Sequence, residues 1–177
     1  KYDSNASWGS LSGTFEIHNI AGYFQIDRTI SKKLKLIVNS RLEHNKIKYS
    51  SNNYYGAIDD NIDNNNNNWG LKSALSYMLK SYSNLYISLS RGHKAGGINQ
   101  NPYLSLLHRT YGPESNINYE SGFKYYTQSL QTQLTCFYMS RKDQQVSISN
   151  QQDDTDPTSF VFYTANATTG YNYGSEF

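Results

Sequence analysis

Four histidines (His18, His44, His93 and His108), a single cysteine (Cys136) and two aspartate clusters are the side chains best suited to metal or acid–base chemistry in this 177-residue chain. Their spacing argues against both uses. The histidines stand singly, with no H-x-x-x-H or H-E-x-x-H pair to hold zinc. One cysteine excludes an internal disulfide framework and a thiolate metal cluster, and reads as a small buried or lipid-facing side chain. Asp59, Asp60 and Asp63, like Asp153, Asp154 and Asp156, lack the fixed ligand order and the glycine of a calcium loop, so both groups read as solvated loop. The run "GHKAGG", Gly92 to Gly97, lacks the order of a phosphate-binding loop, and no helix follows to offer its N-terminus. There is no G-x-S-x-G turn, and carboxylates are too sparse on the strands to pair as acid and base. The N-x-[ST] sequons at Asn5 and Asn166 matter only in a eukaryotic secretory setting. The expectation is a protein that is not an enzyme and carries no cofactor.

Composition narrows the setting. Sixteen basic and 14 acidic residues, a net charge of +2, are too balanced for nucleic acid as partner. Only 37% of residues are hydrophobic, yet there are 17 tyrosines, seven phenylalanines and two tryptophans. Mean hydropathy is −0.73. So many rings must be buried against something apolar, which argues against disorder. Two environments tolerate this mixture: a secreted β protein, and a barrel wall that is apolar on one face only. No stretch approaches the ~18 apolar residues of a membrane helix. The opening "KYDSNASWGS" shows neither an initiator Met nor the apolar core of a signal peptide, as expected of a processed chain or a piece of a longer one.

Periodicity is two almost throughout, which predicts strands. Leu34, Leu36, Val38 and Leu42 alternate with Lys35, Asn39, Arg41 and Glu43. Trp69, Leu71, Leu75, Tyr77 and Leu79 alternate with Lys72, Ser76 and Lys80. Leu85, Ile87 and Leu89 alternate with Tyr86, Ser88 and Ser90, and Ile117, Tyr119, Phe123 and Tyr125 with Asn118, Glu120, Gly122 and Lys124. Thr14–Asp27, Leu130–Ile148 and Val161–Phe177 complete seven strands, the first with a phase change near Gly22 that reads as a bulge. Short connections at 29–32, 81–84 and 127–129 alternate with long polar ones at 48–68, 92–116 and 149–158. Antiparallel strands send successive connections to opposite ends, so the long ones share one end. That asymmetry belongs to outer-membrane barrels, with tight periplasmic turns and long extracellular loops. The asparagine-rich stretch before Trp69 reads as low-complexity loop.

Several segments resemble the barrels of TonB-dependent outer-membrane receptors. "YISLSRGHKAGGIN", Tyr86 to Asn99, is similar to that family's "Y-x-S-x-S-x-G-Y-K-A-G-G-F-N". "YGPESNINYESGFK", Tyr111 to Lys124, resembles "P-E…Y-E-x-G-x-K", and "FYMSRKDQQVSI" resembles "F-Y…D-x-Q" through Asp143 and Gln145. "NATTGYNYGSEF" resembles "N-A-x-x-A-x-x-x-G-x-E" through Asn166, Ala167, Gly174 and Glu176. "GYFQ" and "LKLIVNSRLE" fit two upstream motifs, so order and spacing hold over roughly 21–176. His93 stands where the family has an aromatic, Ser40 replaces a glycine and Gly170 an alanine.

The resemblance implies an all-β fragment of about seven strands from a barrel of about 22 strands closed around a plug. The plug and the remaining strands are expected to lie outside this chain. It implies a multi-pass protein of the Gram-negative outer membrane that imports a scarce large solute, most commonly a ferric siderophore, with cobalamin, haem and glycans as other cargo classes. Its implied partners are TonB, reached through the plug region, the plug itself, the small-molecule ligand and outer-membrane lipid. Glu120, Lys124, Asp143, Asn166 and Glu176 are then expected to face plug or ligand, together with Asn99, Glu114 and Gln145. Gly92, Gly96 and Gly97 would let the chain bend inward over the lumen, with Arg91, His93 and Lys94 at that rim. Two other architectures fit the same pattern: a complete small barrel with an eighth strand over Tyr2–Leu11, and a secreted carbohydrate-binding β-sandwich.

Overall fold

The computed structural model describes residues 11–53, 60–101, 104–151 and 154–177. The stretch expected to give an eighth strand, apart from Leu11, the Asn5 sequon, Asp59 and Asp153 lie outside the described residues. In chain order the strands are β1 (Leu11–Ser31), β2 (Leu34–Asn53), β3 (Asp60–Lys80), β4 (Ser83–Lys94), β5 (Gly97–Ile98), β6 (Thr110–Tyr111), β7 (Glu114–Tyr126), β8 (Gln131–Lys142), β9 (Gln145–Gln151), β10 (Phe160–Asn166) and β11 (Thr169–Glu176).

Seven of them form one antiparallel sheet in the order β1-β2-β3-β4-β7-β8-β11, while β5 with β6 and β9 with β10 make two small ribbons. The turns after β1, β3 and β7 fall at one end. The far ends of β2, β4 and β8 fall at the other, which carries both ribbons, as the sequence predicts for its long connections. Among the described residues no second sheet packs face to face on the first, so the sandwich architecture is not the one adopted.

Directly opposed residues of an antiparallel pair share a face, so the register sorts every side chain. One row runs Ser73, Leu89, Tyr119, Tyr138 and Tyr173, and the next runs Leu75, Ile87, Ser121 and Cys136. This face is apolar and open, with Ile87 60% and Tyr173 73% exposed. The opposite face carries Ser88, Glu120 and Phe137 in one row, and Ser76, Tyr86, Gly122, Thr135 and Glu176 in the next. The alternation read for Tyr119 and Phe123 against Glu120 and Lys124 is the one found.

Three expectations need correction. Within the stretch 48–68, the described residues 48–53 and 60–68 are strand and not loop. β2 runs to Asn53 and β3 begins at Asp60, paired from Ser51↔Asp60 to Leu34↔Tyr77. No bulge occurs at Gly22, because the β1–β2 register is continuous from Leu11↔Asn53 to Thr29↔Lys35 and shifts only beyond Thr29. The apparent phase change arises because β1 is apolar on both faces, with Ile20, Phe24 and Ile26 on one and Phe15, Ile17 and Tyr23 on the other. Finally, 130–148 and 161–177 each break in two. Asp143 takes a positive φ of 54°, a conformation that Asp tolerates better than most residues. There the Asp143 N–H donates to the Thr168 carbonyl at 2.8 Å and the Ala167 N–H to the Gln144 carbonyl at 2.7 Å, carrying the ladder through a bend.

Candidate functional site

The purpose of the glycine-rich run becomes visible from β3. Alternation along its asparagine-rich half turns Asn64, Asn66 and Asn68 toward the polar face and leaves Asn61, Asp63, Asn65 and Asn67 exposed. Asparagine is a poor strand former, but an amide at every second position offers donors and acceptors to whatever lies on that face. The chain from β4 lies there. Asn64 Nδ2 donates to the Gly97 carbonyl at 2.7 Å and to the Tyr111 carbonyl at 3.1 Å. Asn66 Nδ2 donates to Asn64 Oδ1 at 3.1 Å. Beside them Ile98 packs against Ile47, Tyr49 and Ile62, the small core at this end. A Cβ on Gly96 would meet the Tyr111 carbonyl oxygen, and one on Gly97 would meet the Tyr111 ring. Close approach of backbone to backbone is what the glycines permit.

A second layer of side chains binds main chain across the long connections. Asn99 Nδ2 donates to the His108 and Thr164 carbonyls, each at 2.8 Å, and Asn99 Oδ1 accepts from the Thr164 N–H at 2.9 Å. The Asn99 carbonyl accepts from Nε of Arg109, a guanidinium only 2% exposed. Gln145 Nε2 donates to the Ala95 carbonyl at 2.8 Å and the Gly112 carbonyl at 3.1 Å. The Gln145 N–H donates to Glu114 Oε2 at 3.0 Å, and the other Glu114 oxygen lies 3.9 Å from Arg141 Nη1. Asn166 takes the Gly112 N–H on its Oδ1 at 2.7 Å. Its Nδ2 donates to the Gly112 carbonyl at 3.0 Å and to the Asp143 carbonyl at 2.7 Å. Asn99, Glu114, Asp143, Gln145 and Asn166 therefore gather at one end of the sheet and lace the loops together.

Glu120 and Lys124 lie lower, around Tyr86. The Tyr86 hydroxyl donates to Glu120 Oε1 at 2.8 Å and lies 3.1 Å from Thr135 Oγ1, which accepts from Gln133 Nε2 at 2.9 Å. Lys124 Nζ sits 5.1 Å from the ring centroid, a cation–π distance. The ring lies flat over Gly122, directly opposite on β7, where a Cβ would approach it to 2.5 Å. Glu176 belongs to the same row and is exposed.

The three rim cations do not converge. Arg91 lies on the apolar face, with its guanidinium 4.0 Å from the Trp69 ring centroid and Nη1 bonded to the Trp69 carbonyl. β3–β4 pairing ends at Leu71↔Arg91, and the side chain completes the ladder where main chain no longer does. His93 Nε2 lies 3.6 Å from Glu43, which also binds Arg41 at 2.7 Å and Asn19 at 3.2 Å. Lys94 is exposed opposite Glu114. Sequence reasoning missed Asn64, Asn66, Tyr86 and Arg109. The cross-strand pairing of a tyrosine with the family-like glycine Gly122 was the one available signal.

Asp156, read as loop, shapes the β9–β10 turn. Its Oδ1 accepts from the Thr158 hydroxyl at 2.7 Å and N–H at 2.8 Å. These bonds hold its carboxyl below the ordinary 3.8, the hydroxyl contributing most. A carboxyl depressed on folding stabilises fully above its unfolded value and loses that contribution as pH falls through the folded one. The protection of the Thr158 amide, its exchange relative to an unstructured peptide at the same pH, is expected to fall once pH drops below the folded value; protection that stays unchanged on acidification would show the bond to be dispensable.

Five buried side-chain atoms have no hydrogen-bond partner among the described residues: Asn39 Oδ1, Asn45 Oδ1, Asn68 Nδ2, Asn118 Oδ1 and Arg141 Nε. The register puts all five residues on the polar face. Buried polar atoms are normally paired, so this face is suited to receive polar groups from a further element. A two-faced sheet of this kind, with turns at one end and laced loops at the other, is a wall. The whole chain, residues 1–177, matches the family model described as TonB dependent receptor-like, beta-barrel. The chain belongs to the TonB-dependent receptors. These are outer-membrane transport proteins rather than enzymes.

The chain is 28% identical over 143 residues to the pesticin receptor of Yersinia enterocolitica, an overlap of 77% of this chain and 21% of that receptor. Among solved TonB-dependent receptors, it resembles the ferric yersiniabactin uptake receptor FyuA from Yersinia pestis at a TM-score of 0.75 and 22% identity, covering 94% of this chain and 24% of FyuA. The alcaligin outer-membrane receptor FauA from Bordetella pertussis gives 0.57 at 15% identity, with 92% of this chain and 27% of FauA covered. The copper transporter OprC gives 0.61 at 14%, with 90% and 26% covered. The chain thus spans between a fifth and about a quarter of these receptors, and the structural likenesses establish the barrel-wall fold.

Proposed function

We propose that this chain forms part of the wall of an outer-membrane active-transport receptor, whose cargo is a ferric siderophore and whose import step is driven by TonB acting on a plug inside the barrel. The observation that carries this is the two-faced sheet: open apolar rows on one side, and on the other a polar surface with five unpartnered buried atoms. Lipid suits the first and a polar plug the second. Glu120, Lys124 and Glu176 are the wall residues assigned to the plug. Asn99, Glu114, Asp143, Gln145 and Asn166 shape the rim that cargo meets, with His93 and Lys94 beside it. The siderophore class rests on the likeness to the yersiniabactin and alcaligin receptors.

The test is uptake of radiolabelled iron, offered as ferric siderophores, by iron-starved cells carrying the complete receptor, with and without TonB. Uptake that needs both supports the proposal. Uptake independent of TonB, or a receptor that takes up copper ions, cobalamin or haem but no ferric siderophore, defeats it.

The lipid assignment has its own test. Ile87→Arg, at the middle of the apolar face, is expected to cost about 2–4 kcal/mol in bilayer-embedded stability. Ser88→Arg, one residue along and on the other face, should cost less than half of that. Urea unfolding of the complete receptor in phosphatidylcholine vesicles measures both, and equal costs would mean that the faces are assigned wrongly.

A further inference from the structure

The sheet forks at one place. Beyond Leu71↔Arg91, β4 leaves β3 and turns toward the polar face, while β3 continues with β2. On the apolar side the fork leaves a cleft of roughly 500 Å³. The register sets His93, Ser115, Lys142 and Thr169 in one row across it, with Arg91, Ile117, Ser140 and Tyr171 in the row beneath. Below lies an apolar trough of roughly 600 Å³. Its floor is the small side chains Ser73, Ser121 and Cys136, and Leu75, Tyr119 and Tyr138 wall it.

We infer that this cleft binds the phosphorylated head group of a membrane lipid whose acyl chains lie in the trough below. The inference rests on the outer-membrane reading, since only a bilayer would cover the trough. The charges of the cleft are largely accounted for. Its carboxylates are Glu114 and Asp143. Glu114 is taken by the Gln145 N–H and Arg141, and Asp143 is exposed at the mouth. His93 leans to Glu43. Arg91 spends one nitrogen on the Trp69 carbonyl and keeps further N–H groups, and Lys142 is exposed. A guanidinium and an ammonium beside the hydroxyls of Ser115, Ser140 and Thr169 match the oxygens of a phosphomonoester. A free anion would have no use for the apolar trough, which favours a lipid as the source.

The complete receptor is placed in phosphatidylcholine vesicles containing a trace of spin-labelled phosphatidic acid or spin-labelled phosphatidylcholine, and the immobilised fraction of each is read by electron spin resonance. Protease protection of the barrel confirms insertion. The native receptor should immobilise phosphatidic acid in preference to phosphatidylcholine. Arg91→Gln with Lys142→Gln should reduce that preference about tenfold, the weight of one charge-assisted bond. Ser140→Trp, which fills the cleft and leaves every charge in place, should abolish it. An inserted receptor with no preference, or variants that keep it, overturns the inference alone. Release of the label by inorganic phosphate at matched concentration would mark a free-anion site and also overturn it. A receptor that fails to insert removes the outer-membrane reading and this site with it.

Discussion

Gly96→Val in the complete receptor is expected to lower cargo affinity by tenfold or more while leaving the barrel inserted. The new side chain would press on the Tyr111 carbonyl and the Gly112 carbonyl carbon, both backbone atoms that cannot rotate away. Overpacking against backbone costs about 1–3 kcal/mol or more. Here it would fall on the bonds from Asn64 and on the seating of Ile98 against Ile47 and Tyr49. The loop 95–112 should then become cleavable by protease in the folded receptor. Gly22→Val is the matched control, because a Cβ there meets nothing within 4 Å. Full cargo affinity and an uncleaved loop in Gly96→Val would mean that the glycine run has no part in shaping the rim.

The second large effect is expected at Asn99. Its amide exchanges two hydrogen bonds with the backbone of Thr164, as a neighbouring strand would, and adds a third to His108. Asn99→Ala removes all three. At about 1 kcal/mol for each bond, the β9–β10 ribbon should loosen by roughly 3 kcal/mol, seen as faster exchange of the Thr164 amide with the seven-stranded sheet unaffected. Asn99→Asp keeps the acceptor for the Thr164 N–H and loses both donated bonds, so it should fall between. Exchange at Thr164 unchanged in the alanine variant would show that the ribbon is held by β9 alone.

The sheet was legible where its two faces differ in polarity. Leu34 to Leu42, Trp69 to Leu79 and Ile117 to Tyr125 carry most of their apolar residues on one side, with Ile37, Ala74 and Met78 the exceptions, and their alternation gives both strand and orientation. From Asn61 to Asn68 that contrast disappears, since asparagine stands on both sides of the strand. What makes this segment a strand lies elsewhere in the chain: the ladder with β2 and the carbonyls of Gly97 and Tyr111. β1 misleads in the opposite way, through apolar residues on both faces. The rim was half legible. Motif spacing singled out Asn99, Glu114, Gln145 and Asn166, but not that their partners are backbone groups up to 65 residues distant. The face on which Arg91 lies was not legible, because the end of β3–β4 pairing depends on where β4 turns, which no local pattern announces.

The unequal lengths of the strands have a topographic consequence. β1 and β3 each run 21 residues, whereas β4 and β8 run 12. At about 3.3 Å per residue the longer pair reaches about 70 Å, against a hydrocarbon band about 25 Å tall. Even at the usual slant, in the proposed placement, the first three strands would stand out from the cell like a fin, with the asparagine stripe along its upper half. A molecule drifting toward such a receptor would touch this stiff projection before it reached any opening.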